Sequence, residues 1–275
     1  MAELTRLDLI KILAAVPHGE EYRCGARLAG VDLSGLDLRG LNFAYADLRR
    51  ANLTGVLLAR ADLSHSNLHE ATLIDADAPQ CSLRHADLSQ AQINHARLND
   101  ADFTEARLEA ANMIGADLRG AVLNQARLQK ADLRSADLTR AKLNRARLAF
   151  VQLTDADVSA AEFVAAELTD ANLDHAQCQG ADFSQAHLQR ASLIEARLTF
   201  ARLRETNLSD ALLLRVDLSH AECNRAILRN ARLPGAILLD TDFTGATLRD
   251  AEISENGLAR AILNQTILPD GNAVP

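Results

Sequence analysis

ADLRSADLTRAKLNRARL (131–148) repeats one unit: a small residue, a polar residue, Leu, then two polar residues. Working outward from it, the phase holds from Leu28 to Leu268. Over that span every fifth residue is apolar, and of the 49 positions 37 are Leu, 5 Phe, 2 Ile, 2 Cys and one each Val, Met and Ala. Two residues before each lies a second series with 37 Ala among its 49 members. Two columns of fixed side-chain size therefore organise the chain.

A period of five fits neither regular element. In an α-helix successive Leu would be rotated by about 140°, so no common face would form. In a flat strand an odd period sends alternate Leu to opposite faces. A short strand followed by a turn resolves the conflict. Ala and Leu in Ala-x-Leu point the same way, and the next two residues turn the chain so that the following Ala-x-Leu again faces inward. The pattern is in-out-in-out-out, wound about a central axis as a solenoid with a continuous core.

The large residues set the size of one circuit. Phe43, Phe103, Phe163, Phe183 and Phe243 all leave the same remainder on division by 20. Ile93, Met113 and Ile253 share a second such column, and the small Ala78, Val158 and Cys178 share a third. Stacked side chains pack closely when sizes match along a column. Four pentads per circuit follow, with slightly more than 12 coils and a rod roughly 60 Å long at the strand spacing.

ADLRRANLTG (46–55), ADLRSADLTR (131–140) and ADFSQAHLQRASLIEARL (181–198) resemble the pentapeptide-repeat family, whose consensus is A-(D/N)-L-x-x. The resemblance covers residues 26–268. It implies an all-β solenoid, a right-handed quadrilateral parallel β-helix, in agreement with the count of four. It also implies non-catalytic roles: some members regulate development or signalling through protein partners, and some mimic duplex DNA and act on DNA gyrase. Resistance-conferring members often carry a loop between coils, and this chain has none.

Three segments follow: 1–20 as an N-terminal capping helix and linker, 21–269 as the β-helix, and 270–275 as a tail. Thr5-Arg6-Leu7-Asp8 resembles a capping box, and Leu7, Ile10, Leu13 and Ala14 follow helical spacing, so a helix over about 5–16 is expected to cover the first coil. Pro17 and Gly19 break it. At the other end PDGNAVP (269–275) is turn chemistry, blunting the last coil or leaving it to pair with a second copy.

Composition narrows the function classes. The formal charge is -8, which argues against direct nucleic-acid binding, because such domains carry a basic stripe. Charged residues interrupt the apolar stretch at the N-terminus and no window reaches the length of a membrane span, so a soluble cytoplasmic protein is expected. Four Cys suit a reducing compartment. Cys178 and Cys223 fall on the Leu column and Cys81 on the Ala column, as small core residues; Cys24 precedes the repeats. His65 and His85 lie one coil apart on an outward column with Glu105 next, but Tyr45 and Gln125 flank them and the column reads as solvated rather than metal-binding. No nucleophile, base and orienting acid recur together, and no enzyme activity or cofactor is expected.

What remains is surface. Three sides carry balanced charge. The fourth, around the Leu33 column, holds Asp32, Asp75, Asp132, Asp155, Asp174, Glu195, Glu252 and Glu255 against Arg134, Arg215 and Arg232, and exposes Ile74, Ile114, Ile194, Leu212 and Leu214. It suits a basic partner protein. Acidic residues ladder at Asp117-Asp137-Asp157 and Arg at Arg107-Arg127-Arg147. Late outward aliphatics, Leu212, Leu214, Ile227, Ile237, Leu239, Ile262 and Ile267, mark a C-terminal interface for a homodimer or other partner. The expected function is a protein-interaction scaffold of unidentified partner. The alternatives are a DNA mimic that binds gyrase or topoisomerase and a purely structural protein.

Overall fold

The pentad register is visible as a ladder. In the computed structural model, which describes residues 5–14, 25–254 and 257–275, the polar residue before each Leu pairs in parallel with its counterpart four pentads later, beginning with Arg27 and Asp47 and running to Thr247 and Ile267. Most pairs are single bridges. Among the described residues regular strands are limited to β1 (Arg232–Leu233) and β2 (Glu252–Ile253), parallel and in register. The fold is a parallel β-solenoid whose circuit closes after four pentads, so that Asp137 lies directly opposite Asp157.

Why Asp or Asn precedes Leu becomes clear from the backbone donors of one unit, Ala136–Arg140. The Ala136 N–H closes a turn on the Leu133 carbonyl at 3.1 Å. The Asp137 N–H donates to Ala116 in the coil before, at 3.0 Å, and Leu138 and Arg140 donate to Asp157 and Ser159 in the coil after, at 2.7 and 3.0 Å. The fifth N–H, of Thr139, has no carbonyl to reach. It donates instead to the Asp137 Oδ1 at 2.9 Å. A short side-chain acceptor two residues back completes the set, which is the Asx-turn preference of Asp and Asn. Buried or half-buried N–H groups left unpaired would each cost about 1–3 kcal/mol.

The turn has a second requirement. Every fifth residue from Gly30 to Asp250 has positive φ, between +53° and +71°, and most are not glycine. One positive φ at the second central position, with the carbonyl-to-amide bond across it, is the type II turn. A non-glycine residue there gives up about 1 kcal/mol or more. The ladder on both sides holds it in place.

Inside, the Leu and Ala columns are buried throughout the central stretch. Phe43, Phe103, Phe163, Phe183 and Phe243 are all core residues, and the Phe163 and Phe183 rings stack at 4.8 Å. Where the Ala column carries a hydroxyl, the backbone satisfies it: Thr206 Oγ1 donates to the Phe183 carbonyl at 2.7 Å and Thr241 Oγ1 to Leu218 at 2.8 Å. Cys81, Cys178 and Cys223 are free thiols in the core. Burial pushes the Cys81 thiol up to about 12, and the other two in the same direction.

The ends differ from the middle. Helix α1 (Arg6–Ala14) begins at a capping box: Asp8 N–H donates to Thr5 Oγ1 at 3.2 Å, and Thr5 N–H returns to Asp8 Oδ2 at 3.1 Å. Among its described side chains Leu9 is buried and joins the core, whereas Leu7 and Ile10, expected inward from their spacing, are exposed. Six of the nine residues of this helix are apolar and they spread over more than half of its circumference, so spacing alone had no means of choosing which of them face the core. The remainder of that segment, with Pro17, Gly19 and Cys24, lies outside the described residues. Toward the C-terminus the chain leaves the ladder after Ser254 and rejoins it at Ile262, opposite Asp242. The last residues double back, pairing Ala273 antiparallel to Ile267, with the Leu268 N–H donating to the Asn272 carbonyl at 2.8 Å.

Candidate interaction surfaces

Because each circuit has four sides, positions four pentads apart share a column and positions two pentads apart lie on opposite sides. We name the sides by Arg127, Asp132, Asp137 and Lys142, four successive outward residues of the ladder. Corner residues, those with positive φ, stack at the coil spacing. Tyr45, His65 and His85 form a column of parallel rings at 4.7 and 4.6 Å, with His85 Nδ1 3.5 Å from Glu105. Phe200 stacks on His220 at 4.9 Å. Among the described residues no group of three or more His, Cys, Asp or Glu side chains is arranged to hold a metal ion, and no helix is long and apolar enough to cross a membrane.

The Asp132 side brings together the acidic residues singled out above. Asp32 and Asp132 lie on its ladder column, Asp174 on the adjoining turn column, and Asp75, Asp155 and Glu195 at its corner. Most are occupied locally. Arg134 grips Asp132 bidentately, Nε to Oδ1 at 2.8 Å and Nη2 to Oδ2 at 2.7 Å. Glu195 meets both Arg215 and His175. Arg232 Nε donates to Glu252 at 2.7 Å. Asp32 accepts from the Ser34 hydroxyl at 2.7 Å and from Asn52 Nδ2 at 3.0 Å. Asp174 accepts from Ser192 Oγ at 2.5 Å and the Ile194 N–H at 2.9 Å. Hydrogen bonds from Ser34 and Arg134 hold the Asp32 and Asp132 carboxyls below the ordinary aspartate range. Asp75 and Asp155 are exposed, with no ion pair among the described residues. Leu212 and Leu214 sit beside Ile194, all half-buried; Glu255 lies outside the described residues.

The late aliphatics are distributed over all four sides, with Leu212 and Leu214 on the Asp132 side. Ile227 and Ile267 belong to the Arg127 side, Ile237 and Leu239 to the Asp137 side, and Ile262 to the Lys142 side. Ile237 is 52% exposed and Ile262 44%; the others are half-buried. They form no single face along the rod. The acidic ladder on the Asp137 side is bridged: Arg119 lies 2.6 Å from Asp117 and 3.6 Å from Asp137.

Two features were not read from the sequence. Phe150 and Phe200 fall outside the Phe core column and stand exposed at corners, 50% and 66%. The same arithmetic that placed the core phenylalanines puts both numbers on the turn column. The other is the pairing of charge between coils, as between Arg50 and Glu70 or Arg84 and Asp102, which a linear scan does not weigh.

The family model for pentapeptide repeats matches residues 24–55, 61–100, 101–140, 131–170, 152–190, 171–210 and 211–250. This chain belongs to the pentapeptide-repeat family. Among solved structures it is similar to HetL, a pentapeptide-repeat protein involved in heterocyst differentiation regulation from Nostoc sp. strain PCC 7120, at 31% identity over 99% of this chain and 100% of that one, with a TM-score of 0.42. It is also similar to trypsin-treated QnrB1, a plasmid-mediated fluoroquinolone resistance protein, at 18% identity over 80% of this chain and 92% of that one, TM-score 0.40. Rfr23 from Cyanothece 51142 matches at 27% identity over 40% of this chain and 85% of its own, TM-score 0.32. No curated protein matches.

Proposed function

We propose that this pentapeptide-repeat protein is a non-catalytic scaffold that binds other proteins on the flat sides of a rigid rod. The observation that supports it is the division of labour along the pentad. Two of five side chains fill the interior, and the other three face outward in columns, a preformed surface that loses little entropy on binding. The finer architecture belongs to the same reading: a right-handed rod of about 12 coils, with α1 over its first coil. So does a cytoplasmic setting, which suits buried free thiols.

Within this reading the Asp132 side, with Asp32, Asp75, Asp132, Asp155, Asp174, Glu195, Leu212 and Leu214, is one docking face. Ile227, Ile237, Leu239, Ile262 and Ile267 contribute to a second contact, between two copies at the C-terminal coil. Affinity capture from the source organism with the full chain tests the scaffold. Partners retained through salt washes support it; an empty capture with folded bait argues for a purely structural role. Light scattering that finds a monomer at high concentration removes the two-copy contact. DNA mimicry is the second reading, favoured by the Asp117-Asp137-Asp157 row and weakened by the arginine that bridges it. A gyrase supercoiling assay unaffected by micromolar protein excludes it.

A further inference from the structure

Around Arg127 several positive side chains lack ion-pair partners among the described residues. Arg107, Arg127 and Arg147 are direct neighbours across successive coils, about 4.8 Å apart along the rod. The outer two have carboxylates in reach: Arg107 lies 3.1 Å from Asp87, and Arg147 4.0 Å from Glu167. Among the described residues Arg127 has none, and neither have Lys130 and Arg145 at the two corners of this side, nor Lys142 around the corner. All four are exposed. Like charges facing one another in register destabilise a sheet until something neutralises them.

The backbone points the same way. Arg stands at the position that Asp or Asn fills in 20 of the 49 pentads, so the N–H groups of Glu109, Gln129 and Ala149 lack the side-chain acceptor that closes the Asx turn in most of those pentads. Three donors in a row therefore accompany three guanidinium groups. Phe150 shares a corner column with Lys130 and is half-exposed. Tyr45, His65 and His85 stack at one corner and Phe200 on His220 at another, whereas among the described residues Phe150 stacks on no ring.

We propose that the Arg127 side binds a short acidic, extended segment of a partner protein that carries one apolar side chain. The inference rests on the scaffold reading and names the chemistry of its partner. Carboxylates of the segment pair with Arg127, Lys130 and Arg145, where arginine offers bidentate geometry. Its carboxylate or carbonyl oxygens accept from the Gln129 and Ala149 amides, and its apolar residue covers Phe150. A long polyanion fits less well: the chain carries a net charge of -8, and Glu105, Glu109, Glu167 and Asp170 border the patch, so attraction is confined to a few residues.

The test uses the full chain and a fluorescein-labelled decapeptide of alternating Glu and Ser with one central Phe, read by fluorescence anisotropy. Binding is expected to strengthen at low ionic strength and to disappear for the Gln counterpart. The double variant Arg127→Glu/Lys130→Glu should weaken it by at least about tenfold, and Phe150→Ser severalfold, with melting curves close to wild type. Equal binding of the Glu and Gln peptides, indifference to the double variant, or tighter binding of a single-stranded DNA of matched charge each overturns the proposal. Capture with the same variant separates the two readings. A partner retained equally by both proteins overturns the acidic-segment proposal and leaves the scaffold standing; no partner for either removes the scaffold.

Discussion

Residues 126–148 and residues 249–268 carry the same alternation of small residue and Leu, and they end in different states. In the first stretch Leu128, Leu133, Leu138, Leu143 and Leu148 are fully buried, with a coil on either side. In the second, Ile253, Leu258 and Leu263 are only partly buried and pack against the core from its edge. The ladder also falters there. Ile237 is not bridged to the following coil, and where the regular pattern would offer the Ser254 carbonyl, the Gly235 N–H takes the Ser254 hydroxyl instead, at 3.2 Å. The difference teaches that burial in a solenoid belongs to the stack. A pentad supplies the side chains, and its neighbours supply the interior.

The comparison can be broken most sharply at the Leu column. Leu128→Ala should cost about 2–5 kcal/mol, because the cavity lies between two complete coils, whereas Leu258→Ala should cost under about 1 kcal/mol. Urea unfolding that shows equal losses would mean the C-terminal stretch is as well buried as the middle. Next in size is overpacking. Ala126→Leu should destabilise by about 1–3 kcal/mol and Ala261→Leu by about 0.5 kcal/mol or less. Thermal melts of the pair decide it.

The turn caps give a smaller contrast. Asp137→Ala removes the acceptor for both the Thr139 N–H, at 2.9 Å, and its hydroxyl, at 2.6 Å, for about 0.5–1.5 kcal/mol. Asp270→Ala, whose carboxylate caps the Asn272 N–H in the exposed tail at 2.9 Å, should stay within about 0.5 kcal/mol of wild type. Hydrogen exchange at Thr139, faster in the variant, would locate the effect.

The smallest expected effect is acidic. Hydrogen bonds from Arg119 and Arg134 hold the Asp117 and Asp132 carboxyls below their unfolded value, which is about 3.9. A lowered carboxyl contributes stability that is complete above the unfolded value and is lost as pH falls through the folded one. Melting temperature should therefore be flat with respect to these groups above about pH 5 and decline below about pH 4. Arg134→Gln should make that decline shallower, and an unchanged slope would assign it to other groups.

Much of the fold was legible because side-chain size repeats in the sequence itself. The Phe column gave the circuit of four pentads, and the bridges reproduce it. The Asx cap was hidden, since a period of Asp and Asn looks like any polar column until the fifth N–H is traced. Helix α1 was legible at its Thr5–Asp8 start and illegible in its buried face, where Leu9 competes with other apolar residues over more than half of the circumference. The surface was the least readable part. The sequence set Asp132 and Arg134 on the same side as opposing charges in a sum, and the structure joins them in one ion pair at 2.7 Å.

Cross-linking tests the circuit most directly. In a Cys24→Ser background, the pair Gln152→Cys and Asn172→Cys places two thiols on facing ladder positions, at a Cα separation that suits a disulfide. Mild oxidation should join them readily, while Gln152→Cys with Glu167→Cys, three pentads apart, should remain reduced. A disulfide in the second pair and none in the first would contradict a circuit of four pentads.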